Sequence, residues 1–262
     1  MQVLTPRVDL AGFLERVAKA PGRVLMLDYD GTLAPFHVRP ERAVPYAEVL
    51  PVLEQVVRSG GTRVVVVSGR PADEVPPLLK LSERPEIWGS HGWERLLPDA
   101  SRVVERPAAN VQEALATCAR EVESTQSAGA RVERKLASVA LHWRGLAPEA
   151  ALAAEQQART AWMPAVDAGS LELLPFDGGL EVRAVGCNKQ YAVKAVLSQT
   201  PEDHAVAYLG DDVTDEDAFR AIKLRGLSVL VREQFRETTA DVWITPPQEL
   251  VQFLEHWRVP RT

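Results

Sequence analysis

Val24-Leu25-Met26-Leu27-Asp28-Tyr29-Asp30-Gly31-Thr32 opens on four consecutive apolar residues and stops at two acids. A short unbroken apolar run reads as a strand buried on both faces. Residues i and i+2 of an extended chain project to the same side, so Asp28 and Asp30 are expected to enter one site. Carboxylates that close repel, and a proton or a cation must relieve them. Mg2+ prefers one or two carboxylates together with phosphate oxygens. Gly31 gives the turn freedom to aim backbone N–H groups at an anion. A bare Asp-x-Asp is more often a solvated acidic turn or a helix cap. Behind a buried strand and ahead of Gly31-Thr32-Leu33, it reads as a reaction site.

The same pattern recurs outward from this strand. Val64-Val65-Val66-Val67 is a second buried strand, ending at Ser68-Gly69-Arg70. A weaker strand, Ile87-Trp88, ends at Gly89-Ser90-His91-Gly92, and residues 205–209 end at Gly210-Asp211-Asp212. Residues 227–231 and 242–244 supply the last strands. Helices are expected over 8–20, over 46–59 with Gly60-Gly61 as the stop, from Pro71, over 188–198, over 214–223 with Thr214 as N-cap, and from Pro246-Pro247 to near Trp257. Alternating βα units imply an α/β fold with a Rossmann-like parallel sheet covered on both faces. Ligands bind beyond the carboxyl ends of such strands, where Asp28, Asp30, Ser68, His91, Asp211 and Asp212 all fall.

Residues 104–186 break the rhythm: a helix at 111–123, strands at 132–135 and 139–143, a helix at 148–161, and strands at 171–174 and 180–183 around an Asp177-Gly178-Gly179 turn. Paired short strands predict an α+β insert, an antiparallel sheet with helices on one face. Residues 1–103 and 187–262 then form the core domain.

Composition narrows the function class. A chain of 262 residues with 46% hydrophobic residues and net charge −6 has no electrostatic footprint for nucleic acid. A phosphate substrate must be held by a few placed cations. The two cysteines, Cys118 and Cys187, form neither a disulfide framework nor a zinc pattern. No signal peptide or membrane-length apolar run is visible, so the expectation is a cytoplasmic protein, with a monomer as the default.

The strand ends carry phosphoryl-transfer chemistry. Ser68, a flexible Gly69 and a following helix start make an anion site; alone, Ser-Gly is equally a loop. Lys189, at a helix start, suits a phosphoryl group, although a single lysine is usually a surface lysine. Residues 211–217 hold five carboxylates. The helix dipole accounts for Asp215, Glu216 and Asp217; Asp211 and Asp212, at the end of a buried strand, are better explained by metal coordination. His91 reads equally as a sugar contact or a satisfied loop histidine, and His142 as core of the insert.

With these motifs in order, the sequence resembles the haloacid dehalogenase (HAD) superfamily of phosphatases, and within it the trehalose-6-phosphate phosphatases, over nearly the whole chain. The matching segments are residues 28–33, Ser68-Gly69-Arg70, Gly89-Ser90-His91-Gly92, Glu133-x-Lys135 with His142-Trp143-Arg144, Glu181-Val182-Arg183 with Lys189, and residues 210–216. The resemblance implies a C2-type cap formed by the insert and a Mg2+-dependent hydrolysis of trehalose 6-phosphate. Asp28 would be the nucleophile that becomes phosphorylated. Asp30 would be the acid and then the base. Asp28, the Asp30 carbonyl and Asp211 would hold Mg2+, with Asp212 and Asp215 behind them. Ser68 and Lys189 would hold phosphoryl oxygens, with Gly69, Arg70, His91 and Gly92 as further substrate contacts. Glu133, Lys135 and Glu181 would bind sugar hydroxyls. A separate trehalose-6-phosphate synthase would be the functional partner.

The sequence departs from the family pattern near the return to the core: Ala184 stands where proline is usual, Gln190 where glycine is, and Cys187-Asn188 where an acid often precedes the lysine. Two alternatives remain: a phosphatase of another glycoside phosphate, such as glucosyl-3-phosphoglycerate or sucrose 6-phosphate, and a non-catalytic sugar-phosphate sensor. Retention of both Asp28 and Asp30 speaks against the sensor.

Overall fold

The computed structural model describes residues 1–124, 129–176, 178–186 and 188–260. Asp177 of the expected turn and Cys187 fall outside these residues. The chain forms two compact units, Met1–Val103 with Asn188–Thr262, and Val104–Cys187.

In chain order the first stretch contains β1 (Gln2–Val3), α1 (Leu10–Lys19), β2 (Arg23–Leu27), α2 (Val49–Ser59), β3 (Arg63–Val67), α3 (Val75–Leu79), β4 (Glu86–Gly89), β5 (Glu94–Leu96) and β6 (Arg102–Val104). The insert contains α4 (Ala109–Ser124), β7 (Arg131–Arg134), β8 (Ser138–His142), α5 (Pro148–Asp167), β9 (Leu171–Phe176) and β10 (Gly179–Ala184). The return contains α6 (Lys189–Ser198), β11 (Ala205–Gly210), α7 (Glu216–Ile222), β12 (Leu227–Val231), β13 (Val242–Ile244) and α8 (Gln248–Glu255).

The larger sheet runs β1-β13-β12-β11-β2-β3-β4-β5-β6. Its centre, from β13 to β4, is parallel. Alternate residues of the apolar runs serve opposite faces. Leu25, Leu27, Val64 and Val66 pack with Phe13, Leu53 and Phe253 on one side. Val24, Met26, Val65 and Val67 pack with Val193, Val196, Phe219 and Ile222 on the other. That double burial is why these strands read as unbroken apolar runs.

Three features differ from the sequence expectation. The sheet carries antiparallel margins, β1 on β13 and β5 on β4. Strands β1, β5 and β6 are only 2–3 residues long, too short to show a period. No helix opens at Pro71: residues 71–74 form turns and α3 begins at Val75, so no helix N-terminus lies directly behind Ser68. Thr214 is not an N-cap: Val213–Asp215 form a 3-10 turn and α7 starts at Glu216.

The insert sheet runs β7-β8-β10-β9, antiparallel throughout. Glu133 lies opposite Ala140, and Ala140 opposite Glu181. Arg131, Glu133, His142, Glu181, Arg183 and Glu172 therefore share one face. The other face presents Val139, Leu141, Leu180 and Val182, buried together with Leu115 and Val122 of α4 and Ala158 and Trp162 of α5. The Arg134–Glu123 ion pair at 2.5 Å marks α4 as lying on that apolar face. Ala184 is explained locally: its N–H donates to the Ala137 carbonyl at 2.8 Å, a bond proline cannot make. Among the described residues no helix is long and apolar enough to cross a membrane.

Candidate active site

Asp28 follows the last residue of β2, and its backbone N–H is fixed by the Leu209 carbonyl of β11 at 2.8 Å. Its carboxylate is buried. Oδ1 accepts from Lys189 Nζ at 2.7 Å, and Oδ2 accepts from the Thr32 hydroxyl at 3.2 Å. Lys189 is the first residue of α6. The N-cap side chain of Asn188 sets that start by accepting from the Tyr191 N–H at 3.1 Å. This gives Asn188 a structural reason of its own. Gln190 faces outward on the same turn, where it accepts from Lys194.

The second partner of Lys189 is Asp215, at 2.7 Å. Asp215 is fully buried and accepts on both oxygens: Oδ1 from Lys189 and from the Tyr208 hydroxyl at 2.6 Å, Oδ2 from the N–H groups of Asp211 and Asp212 at 3.1 and 3.0 Å. Burial alone would depress the Lys189 ammonium, but Asp215 and Asp28 outweigh it and keep it charged. Burial pushes the Asp28 carboxyl up, against the pull of Lys189 and with the help of Asp215.

Carboxylate oxygens of Asp28, Asp211 and Asp215 lie within 4.8 Å of one another. The Asp211 carboxylate packs against Gly31, where a Cβ would stand 2.1 Å from Oδ2; the close approach requires the glycine, which has φ +85°. Among the described residues no donor reaches the Asp211 carboxylate, and burial, followed by the charges of Asp28 and Asp215, drives its pKa well up. Three carboxylates facing one ammonium demand further positive charge, and an all-oxygen donor set suits a hard divalent cation such as Mg2+. Asp215, with two donors on each oxygen, positions this set; Asp28, which accepts only one hydrogen bond on each oxygen, and Asp211 are the carboxylates open to an ion. Asp212 is half-buried, and its carbonyl accepts from Arg236 at 2.6 Å.

The Asp30 carboxylate has a cation of its own among the protein's side chains. Its oxygens accept from Arg70 Nε and Nη2, both at 2.6 Å. The two acids are thus answered by separate cations, Lys189 and Arg70, while the charge of Asp30 still adds to the field that raises Asp28.

The Ser68-Gly69-Arg70 and Ser90-His91-Gly92 loops are tied together. His91 N–H donates to the Ser68 carbonyl at 3.0 Å and Ser90 N–H to the Arg70 carbonyl at 2.7 Å. Ser90 and His91 both take positive φ, 49° and 59°, an uncommon conformation for non-glycine residues that a well-determined loop must hold. The His91 ring lies where a Cβ on Gly69 would stand, 2.7 Å from Cε1. Gly92, at φ +112°, lets the loop approach α6 beside Asn188. Both glycines therefore serve close packing around the site.

On the insert sheet, Glu133 accepts from His142 at 2.7 Å, and this bond above all lowers its carboxyl to about 2. Glu181 accepts from Lys135 at 3.2 Å and from the Ser138 hydroxyl at 2.6 Å. His142, expected as core, is half-buried on the polar face. Of the residues singled out in sequence, Asp28, Asp30, Ser68, Gly69, Arg70, His91, Gly92, Lys189, Asp211, Asp212 and Asp215 belong to the first unit, and Glu133, Lys135 and Glu181 to the second.

The trehalose-phosphatase family model matches residues 26–242. The chain belongs to the trehalose-phosphatase family. Membership makes it a phosphatase. Trehalose 6-phosphate phosphatase RA3 of Zea mays is 32% identical over 270 residues, covering 94% of this chain and 73% of that protein. The trehalose-phosphate phosphatase of Mycobacterium marinum is 30% identical over 250 residues, covering 89% of this chain and 60% of its relative. The C-terminal domain of the trehalose-6-phosphate phosphatase of C. albicans superposes with a TM-score of 0.81 at 19% identity, covering 98% of this chain and 99% of that one. The fold is shared with BT1666 of Bacteroides thetaiotaomicron, a phosphatase of the haloalkanoate (HAD) enzyme superfamily, which superposes with a TM-score of 0.64 at 17% identity over 97% of this chain and 98% of that one.

Several residues of this trehalose-phosphatase site escaped sequence reading. Tyr208 holds Asp215; its hydroxyl, two residues before Gly210 in an otherwise apolar strand, was the available signal. Arg236 donates to the carbonyls of Asp211 and Asp212 and pairs with Glu216 at 2.6 Å. Glu216 in turn accepts from Thr238 and Thr239. Nothing in local pattern points to Arg236.

Proposed function

We propose that this phosphatase hydrolyses trehalose 6-phosphate to trehalose and phosphate in two steps through an aspartyl-phosphate on Asp28. The observation that carries the reading is the buried Asp28 carboxylate held by Lys189 Nζ at 2.7 Å beside Asp211, whose carboxylate no donor among the described residues reaches. Lys189 and Thr32 fix the carboxylate plane, and the longer Thr32 bond leaves Oδ2 the freer oxygen to attack phosphorus. The P–O bond to the sugar breaks, and Asp30 gives a proton to the departing sugar oxygen. Asp30 then takes a proton from water; the water oxygen bonds to phosphorus, the Asp28 acyl-phosphate P–O bond breaks, and phosphate leaves. The Ser68 hydroxyl and Lys189 stabilise the phosphoryl oxygens. Asp28 and Asp211, with the Asp30 carbonyl, would hold Mg2+, which supplies positive charge for the phosphoryl group. His91, in its strained loop, contacts the substrate.

Glu133, Lys135 and Glu181 recognise sugar hydroxyls. Glu133 oriented by His142, Glu181 by Ser138, and the Lys135 ammonium held by Glu181 suit a ligand rich in hydroxyls. A separate synthase would supply the sugar phosphate.

Phosphate release by the full chain with Mg2+ tests the reading on trehalose 6-phosphate, sucrose 6-phosphate, glucosyl-3-phosphoglycerate and glucose 6-phosphate. Strong preference for the first, lost in EDTA and restored by Mg2+, is expected. Preference for another member would relocate the specificity, activity surviving exhaustive chelation would remove the metal, and no release by folded protein would leave a sensor.

A further inference from the structure

We infer that Arg70 acts through Asp30, as the positioning residue that fixes its carboxylate, and not as a ligand of the substrate phosphate. The inference rests on the acid–base role proposed for Asp30.

The guanidinium presents its Nε and Nη2 edge to both Asp30 oxygens at 2.6 Å. A two-point contact between two planar groups sets distance and orientation together, which a single ammonium cannot do. The Arg70 side chain is only 11% exposed. Its guanidinium carbon stands 5.4 Å from the centroid of the Tyr29 ring. Tyr29 is itself buried and anchored by its hydroxyl to the Ala43 carbonyl at 2.7 Å. The Arg70 backbone is held at both ends, its N–H by Ser68 Oγ at 3.2 Å and its carbonyl by the Ser90 N–H at 2.7 Å. Arg70 is thus braced on ring and backbone, and its paired edge is spent on Asp30. Lys189, by contrast, is braced against Asp28, where phosphorus must arrive. Basic charge at this site is divided between the two acids, one cation for each.

A double-mutant cycle in the full chain tests the inference with trehalose 6-phosphate and Mg2+. Misplacing a reacting group by about 1 Å costs on the order of 100-fold, so Arg70→Ala is expected to lower kcat by about 10–100-fold. KM and inhibition by inorganic phosphate should stay near wild type. Arg70→Lys keeps the charge without the fork and should not recover kcat. In an Asp30→Asn background Arg70→Ala should cost nothing further, because residues that act as a unit are not additive. Thermal melting checks each variant, and Arg70→Lys carries the cycle should Arg70→Ala fail to fold. A raised KM and weakened phosphate inhibition with kcat retained would make Arg70 a phosphate ligand. An equal loss in the wild-type and Asp30→Asn backgrounds would also overturn the inference. Full activity of Asp30→Asn alone would instead remove the acid–base role of Asp30, and the inference with it.

Discussion

The strand ends of the parallel sheet and the polar face of the insert sheet both gather charges, in different styles. At the strand ends Lys189, Asp28 and Asp215 are almost fully removed from water, and each depends on the others. On the insert sheet burial is uneven: Glu181 and Arg183 are buried, whereas the Glu133–His142 pair keeps 29% and 25% of its side-chain surface exposed and supplies the contrast. In a low-dielectric interior a broken pair leaves an uncompensated charge, whereas at a wet surface water replaces the lost partner. The first arrangement suits chemistry, where groups must not move. The second suits recognition, where a sugar can displace water and share hydrogen bonds without a large penalty.

That contrast can be broken by substitution. Asp28→Asn should have the largest effect: phosphate release should fall by more than the ~10²–10⁴-fold associated with a general acid–base group, with melting unchanged or raised. Near-normal turnover of the folded variant would remove the nucleophile. Lys189→Met should come next, lowering metal-free stability by about 3–5 kcal/mol because two buried carboxylates lose their counter-charge. Calorimetry with and without Mg2+ measures this, and the cation should restore part of the loss; an unchanged melting temperature in metal-free buffer would show that the buried network is not held by Lys189.

Glu133→Ala should cost less than about 1 kcal/mol in stability while hurting trehalose 6-phosphate far more than p-nitrophenyl phosphate. Equal loss on both substrates would take the insert sheet out of specificity. The smallest effect concerns pH. The His142 bond lowers the Glu133 carboxyl from 4.5 to about 2 in the folded protein. Its contribution is therefore complete above pH 4.5 and is lost as pH falls through about 2. Melting curves of wild type and Glu133→Gln should differ at neutral pH and converge in acid; curves that stay parallel would separate Glu133 from that titration.

Legibility in the sequence followed the length and burial of each element. Strands β2, β3, β11 and β12 announced themselves because both faces are covered, so they are nearly all apolar: Arg23 and Arg63 stand only at the starts of β2 and β3, and Tyr208 and Ser228 are the polar side chains within β11 and β12. Their ends fixed Asp28, Ser68 and Asp211 as neighbours, since parallel strands deliver their carboxyl ends to one edge. The edge strand β6, exposed throughout, left no apolar signature. The helix expected at Pro71 failed because proline at a helix start is permitted and not compelled.

The sequence by itself determined the parallel core, the antiparallel insert and the acids at the strand ends, because each is written in a local period or an uninterrupted run. Only the tertiary structure decided how those acids are partnered. Asp28 takes Lys189 from 161 residues away and Asp30 takes Arg70 from 40. Tyr208 and Lys189 close around Asp215, and Arg236 grips the backbone of Asp211 and Asp212. Charge pairing is a property of distance in space, and no spacing along the chain encodes which cation the fold will bring to which carboxylate.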